Sequence, residues 1–326
     1  MTTWNHLFHA YGVAVDTPEH IENLTSGDAA LCSSAINHLF SAVIHQSTVY
    51  TVTPVVIKLI LPKLYEPVLR MKYSEKNDRT VLGSLISFLD YAAESVWFYR
   101  EDECSALMPS EEKLEEFYAL LNINSEDEES YEYIDSEIID DLMEIAYFDI
   151  CSMVSEVLPI ILPFTEDPQI DIRNAALAAV GKWGCLNKEC TEAKTALLLI
   201  KDKLLNIEKN ISNRDERAAF LLALGELGDE LTDFLKDIDK VICACAALFV
   251  QGRHAESILV ETLSEPLEID NWFNHKPDYF SNKIRFSLLD SLLQRDVSIE
   301  QILPAATAII KVAGGGLGMN FEWGVF

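Results

Sequence analysis

Positive charge is what this 326-residue sequence has least of: 25 Lys and Arg stand against 53 Asp and Glu, a formal net charge of −28. A protein that grips a nucleic-acid duplex needs clustered cations to displace counterions from phosphates, so nucleic acid is excluded as a partner class. No Cys-x-x-Cys pair occurs, and the seven cysteines (Cys32, Cys104, Cys151, Cys185, Cys190, Cys243 and Cys245) are an odd number. Most lie in apolar helical stretches, where a free thiol packs as a small hydrophobe, and the absence of a signal-peptide pattern points to a reducing cytoplasm. Cys185 and Cys190 lack a second pair at ligand spacing, so no metal or cofactor is expected from the cysteines. The uncharged run 32–57 contains Asn37, His38, His45, Gln46 and several Ser and Thr. These are expensive in hydrocarbon, so the run reads as a buried helix with its following loop and no membrane is expected as a partner.

Catalytic signatures are missing too. There is no His-Glu-x-x-His, the glycine run 314–318 lacks the Gly-Lys-Ser/Thr of a phosphate loop, and Ser84 and Ser87 lie in a helical stretch without a nucleophile elbow. No Asp-x-Asp-x-Asp-Gly calcium loop occurs. Strict alternation of apolar and polar residues is absent as well, and the fold class expected is all-α.

The stretch 166–184 carries the strongest positive pattern. Asp167 is placed to cap a helix and Pro168 suits its first turn, where a missing N–H costs nothing. Ile172, Ala175, Ala176, Ala179, Val180 and Trp183 then recur at helical spacing, and Gly184 marks the stop. A face so rich in alanine lets a neighbouring helix approach closely and cannot bury a core alone. Asp167, Pro168, Ile172, Arg173, Ala175, Ala176, Val180, Gly181, Trp183 and Gly184 resemble a HEAT repeat, the helical-hairpin unit of α-solenoids. A second copy, with Arg217, Ala218, Ala219, Leu224, Gly225, Leu227 and Gly228, follows at an offset of 44 residues, within the HEAT and armadillo range. Weaker copies begin at Asp239 and at Ile284-Arg285. The resemblance implies a right-handed superhelix of HEAT-like hairpins in which Asp167, Arg173, Arg217 and Arg285 form a structural ladder between repeats.

The N-terminus resembles bacterial HEAT-like proteins that open Trp-x-x-Leu-x-His-Ala-Tyr-Gly and continue to His-Gln-x-Thr-x-Tyr. Here those positions are Trp4, Leu7, His9, Ala10, Tyr11 and Gly12, then His45, Gln46, Thr48 and Tyr50. Trp4, Leu7, Phe8 and Tyr11 predict a helical face ending at Gly12. Degenerate repeats are expected over 1–100, an acidic insertion over 101–144, the main repeat array over 145–313, and a Gly-rich aromatic tail over 314–326.

Two regions are candidates for function. Five of seven histidines fall within the first 45 residues, and His38 and His45, seven apart, predict one face of one helix that His9 joins as a ligand or acid–base cluster. The segment 101–144 holds 17 acidic residues and a single basic one, Lys113, so it carries −16 of the −28. Within it, 110–121 reads as an amphipathic helix with Leu114, Phe117, Tyr118 and Leu121 inward. Glu111, Glu112, Glu115 and Glu116 line its outer face, and Glu126, Asp127, Glu128 and Glu129 crown the next loop. With Tyr118, Tyr131 and Tyr133 as anchors, this surface suits a basic protein partner. The expectation is a non-enzymatic binding protein, in concrete form an immunity protein or inhibitor of a basic toxin. The alternatives are a HEAT-like enzyme or lyase-type small-ligand binder using the histidines, and a scaffold in a larger assembly.

Overall fold

The computed structural model describes residues 4–73, 79–99, 104, 106–123, 136–281 and 283–314. These residues are mostly helical, and they divide into two compact units at Asn187/Lys188.

The first unit begins with a departure from helix. Trp4–His6 is a single 3-10 turn, and strands β1 (Phe8–His9) and β2 (Gly12–Val13) pair antiparallel, with Phe8 opposite Val13 and His9 opposite Gly12. The helical face expected over 4–12 is thus corrected to a two-residue hairpin. Gly12 sits at φ +118, a conformation closed to most side chains, and so ends the helical path before it starts. Helices α1 (Thr17–Asn23) and α2 (Ala29–His38) follow, the latter capped by Asp28, whose carboxylate accepts from the amides of Ala30 and Leu31. At His38 the winding changes to a π-helical turn, Leu39–Val43. The chain then leaves the helix for a second hairpin, β3 (Ile44–His45) and β4 (Thr48–Val49). Gln46 and Ser47 both take positive φ, 50° and 61°, the pair of left-handed residues that a type I′ turn requires. The Tyr91 hydroxyl accepts the Ser47 amide at 2.7 Å and holds this uncommon turn.

Helix α3 (Val52–Ile60) ends at Leu61-Pro62, where the proline denies the next turn its amide and the chain tightens into a 3-10 turn, Leu61–Tyr65. Helix α4 (Val81–Val96) is capped by Thr80 and buried over most of its surface. Helices α5 (Glu111–Ile123) and α6 (Ser136–Ser152) follow, then α7 (Val154–Ile161). At Leu162-Pro163 the earlier event recurs: α7 gives way to a 3-10 turn, Leu162–Glu166, and then to α8 (Ile170–Leu186). The two helix–Leu-Pro–helix passages stand 101 residues apart.

Their second helices, α4 and α8, pack on each other and form the centre of the unit. Trp183 is fully buried and its indole N–H donates to the Leu89 carbonyl at 2.8 Å. Asp171, in the first turn of α8, accepts from both the amide and the hydroxyl of Thr80, at 2.8 and 2.7 Å. That carboxylate sits at the positive end of α4, where an anion is favoured. A Cβ at Gly83 would come within 2.8 Å of it, so the close approach needs glycine. The apolar positions named for α8 are all buried, but so are Asn174, Leu177, Ala178 and Gly181, so the helix is enclosed on nearly every side. It also runs two residues past Gly184, because the glycine is helical and buried there.

The second unit holds α9 (Thr191–Asn206), α10 (Arg214–Glu226), α11 (Lys240–Ala247), α12 (Arg253–Leu263), the short α13 (Pro266–Ile269), α14 (Ile284–Leu293) and α15 (Ile299–Gly314). The passage from α10 to α11 repeats the motif with a 3-10 turn, Thr232–Lys236. Gly225 faces the Phe249 ring so closely that any Cβ would enter it. At the far end of α11 the Arg295 guanidinium donates to the carbonyls of Ala247, Leu248 and Val250, satisfying acceptors that the helix end leaves open.

The ladder residues divide in function. Arg217 is 2% exposed and pairs with Asp237 at 2.6 Å, joining α10 to the loop before α11. Arg285 reaches Asp270 at 3.2 Å. Arg173, expected to match Arg217, instead donates to the Asp167 carbonyl six residues back in its own loop. The long-range partner of Asp167 is Arg70, which donates to both carboxylate oxygens at 3.1 and 2.6 Å. The expected equivalence of Arg173 and Arg217 is therefore corrected. Asp167 itself accepts from the Gln169 amide and forms a turn before the helix, which opens at Ile170.

Candidate functional site: a histidine–aspartate cluster beside an acidic helix

The N-terminal hairpin, the N-terminus of α1 and the end of α2 meet at one point. The Ala10 amide donates to the Ala42 carbonyl at 3.1 Å, which pins the β1–β2 turn against the π-helical segment. His9 then faces Asp16, the residue preceding α1, with Nε2 at 3.0 Å from Oδ1. The Tyr11 amide donates to His9 Nδ1 at 3.1 Å, so that nitrogen is the acceptor and Nε2 carries the proton given to Asp16. His38 lies on the other side of Asp16, its Nδ1 3.9 Å from Oδ2 and its Nε2 2.9 Å from the Thr17 hydroxyl. The His20 ring stacks on His38 with centroids 4.1 Å apart, and its Nδ1 is buried with no hydrogen-bond partner.

Burial separates the members. His9 and His38 are 5% and 8% exposed, whereas Asp16 is 52% exposed and opens the cluster to solvent. The His9 hydrogen bond, helped by the nearby histidines and opposed by burial, holds the Asp16 carboxyl down at about 2. Burial, with His20 alongside, pushes His38 down to about 4. Thr17, His38 and Asp16 stand in the order of a nucleophile, base and acid, yet Thr17 is fully buried. An imidazole near 4 is also a weak base at neutral pH.

Of the three histidines expected to converge, His9 and His38 do and His45 does not. The π-helical turn and the hairpin after it carry His45 away from the α2 face, and its Nδ1 lies 2.9 Å from the Ser41 carbonyl. Its ring stands 5.7 Å from that of Tyr11, so the turn of the first hairpin lies beside the second. Asp16 and Thr17 escaped the sequence reading because Asp-Thr-Pro reads first as a helix start; its proximity to five histidines was the available signal.

The acidic helix α5 packs against this same corner. Phe117, Tyr118 and Leu121 are buried with Phe8, Ile138 and Leu142, and Leu114 and Tyr50 pack at the edge. The His6 ring stacks on Tyr118 at 5.5 Å. Glu111, Glu112, Glu115 and Glu116 are all exposed on the opposite face. Tyr118, expected as a partner anchor, is corrected: it is 6% exposed, and burial pushes its phenol up to about 12. Its ring is spent on the core because the i, i+3, i+4 spacing with Leu114, Phe117 and Leu121 sets it on the inner face. Glu126, Asp127, Glu128, Glu129, Tyr131 and Tyr133 lie outside the described residues.

Among the described residues no single helix is long and apolar enough to cross a membrane. Comparison with known proteins returns no matching family model, no curated protein and no solved structure. The geometry alone carries the functional reading.

Proposed function

We propose that this chain is a non-enzymatic, HEAT-like α-solenoid protein that binds a basic protein, in the form of an immunity protein or inhibitor directed at a cationic toxin. The observation that carries the reading is α5: four glutamates face solvent while Phe117, Tyr118 and Leu121 lock the opposite face into the core. Carboxylates held in a fixed array steer a cationic partner and fix its register, whereas the same charges on a free chain would first have to be ordered. The net charge of −28 adds long-range attraction for the same partner class. A toxin that acts on nucleic acid presents a cationic surface, which a rigid acidic helix complements. The helix, 3-10 turn and helix passage, found twice in the first unit and again in the second, supports the repeat architecture. The buried Thr17 and the weakly basic His38 support a binding role over hydrolysis.

The test is binding of the protein encoded beside this one, measured with the full chain and with a variant carrying Glu111, Glu112, Glu115 and Glu116 all changed to Lys. A basic partner that binds the native chain tightly, loses affinity steeply as salt rises and is lost by the charge-reversed variant supports the proposal. Equal binding by both chains, or binding indifferent to salt, overturns it.

A further inference from the structure

The cluster at the N-terminal hairpin supports a site of a different kind. We infer that His9, Asp16 and His38 bind one divalent transition-metal ion, with zinc as the natural occupant. Three donors from three separate elements converge: one imidazole from β1, one carboxylate from the start of α1, and one imidazole from the end of α2. Their donor atoms all lie within 4.8 Å of one another. Around zinc, with bonds of about 2.0–2.2 Å, tetrahedral ligand atoms stand roughly 3.3 Å apart. His9 Nε2 and Asp16 Oδ1 already stand at 3.0 Å, and His38 Nδ1 and the other carboxylate oxygen, Oδ2, at 3.9 Å. Those two edges lie within an ångström of the tetrahedral spacing, and the remaining edge, at most 4.8 Å, shortens as the side chains close on the ion. Two imidazoles and a carboxylate are a donor set that suits zinc and its neighbours in the first transition row, and disfavours calcium and magnesium. Asp16 leaves the fourth position open to solvent.

The surroundings supply the outer contacts. Thr17 Oγ1 is fully buried and 2.9 Å from His38 Nε2, so with Nδ1 on the metal Nε2 carries the ring proton and donates it to that hydroxyl. One bond has to be exchanged. In the metal-free cluster His9 donates from Nε2, and Tyr11 donates to Nδ1. When a metal takes Nε2, the single ring proton passes by way of solvent to Nδ1 with no net release, and the Tyr11 amide loses its acceptor. Tyr11 lies in the two-residue turn of the hairpin and is 55% exposed, so the Ala10–Tyr11 peptide is free to turn over without unpacking the core. Metal loading is thereby coupled to the conformation of that turn.

The experiment is a Zn2+ titration of the full chain, freed of metal with a chelator, by calorimetry at neutral pH. Co2+ is used in parallel for its absorption spectrum. The native chain is expected to take up one ion with a micromolar or tighter Kd and to give a four- or five-coordinate Co2+ spectrum. Asp16→Asn, which keeps an acceptor for His9, and His9→Gln are expected to weaken binding at least tenfold with circular dichroism unchanged. His45→Gln is expected to bind as the native chain does. The Tyr11 amide resonance is expected to move on loading. Absence of stoichiometric binding, or retention of native affinity by both Asp16→Asn and His9→Gln, overturns the assignment. Loss of binding by His45→Gln alone would place the metal elsewhere and overturn it equally.

Discussion

Arg217 shows what a single residue contributes here. Its guanidinium and the Asp237 carboxylate are 2% and 3% exposed, so each depends on the other for the solvation it gave up. Removing one partner strands a buried charge, at a cost of about 3–5 kcal/mol. Arg173 makes one hydrogen bond to a carbonyl in its own loop, and a bond from a charged donor of that kind is worth about 1.5–3 kcal/mol. In denaturant melts Arg217→Ala is therefore expected to cost roughly 2 kcal/mol more than Arg173→Ala on those figures, and equal losses would restore the equivalence that their spacing suggests. His38 makes a second residue-scale prediction. Burial and the adjacent His20 lower it from 6.5 to about 4 in the folded chain. Above pH 6.5 it is neutral in both states and makes no difference. Between 6.5 and about 4 only the unfolded chain takes up the proton, so stability falls as pH falls, by up to about 3 kcal/mol in all. Metal-free His38→Gln is expected to show a shallower decline in denaturant midpoint over that window than the native chain; an identical decline would mean that His38 titrates normally.

Elements in this protein are defined as much by how they end as by how they run. Leu-Pro closes α3 and α7 and tightens each into a 3-10 turn, and the next helix in each passage becomes a central one. That punctuation is visible in the sequence, since proline removes the same amide wherever it falls in a helix. The π-helical turn after α2 has no such mark, and it decided that His45 would leave the cluster. Close helix approach is likewise set element by element. Gly225 lies against the Phe249 ring, so Gly225→Ala is expected to lower stability by about 1–3 kcal/mol through overpacking, although alanine is the better helix former. Pairing it with Phe249→Leu is expected to recover part of the loss; a neutral or stabilising Gly225→Ala would show that propensity outweighs the contact.

At the scale of the whole molecule, charge and core are arranged on different principles. The surplus of 28 negative charges is a property of composition, and it would be the same in any fold. The core is a property of pattern: the helical period of apolar residues in 166–184 and 213–228 matches α8 and α10. The amphipathic face of α5 was legible for the same reason, because one turn of helix converts spacing directly into sidedness. The two hairpins were not. Each strand is two residues long, too short for an alternating pattern to emerge, and each turn is held by partners distant in sequence, Ala42 for the first and Tyr91 for the second. The sequence by itself therefore determined the helical class, the acidic helix and the histidine-rich end. Only the tertiary structure decided that Asp16 stands between His9 and His38, that Tyr118 is core, and that Asp167 answers to Arg70. Those pairings join residues from 7 to 97 positions apart through contacts that no local period encodes.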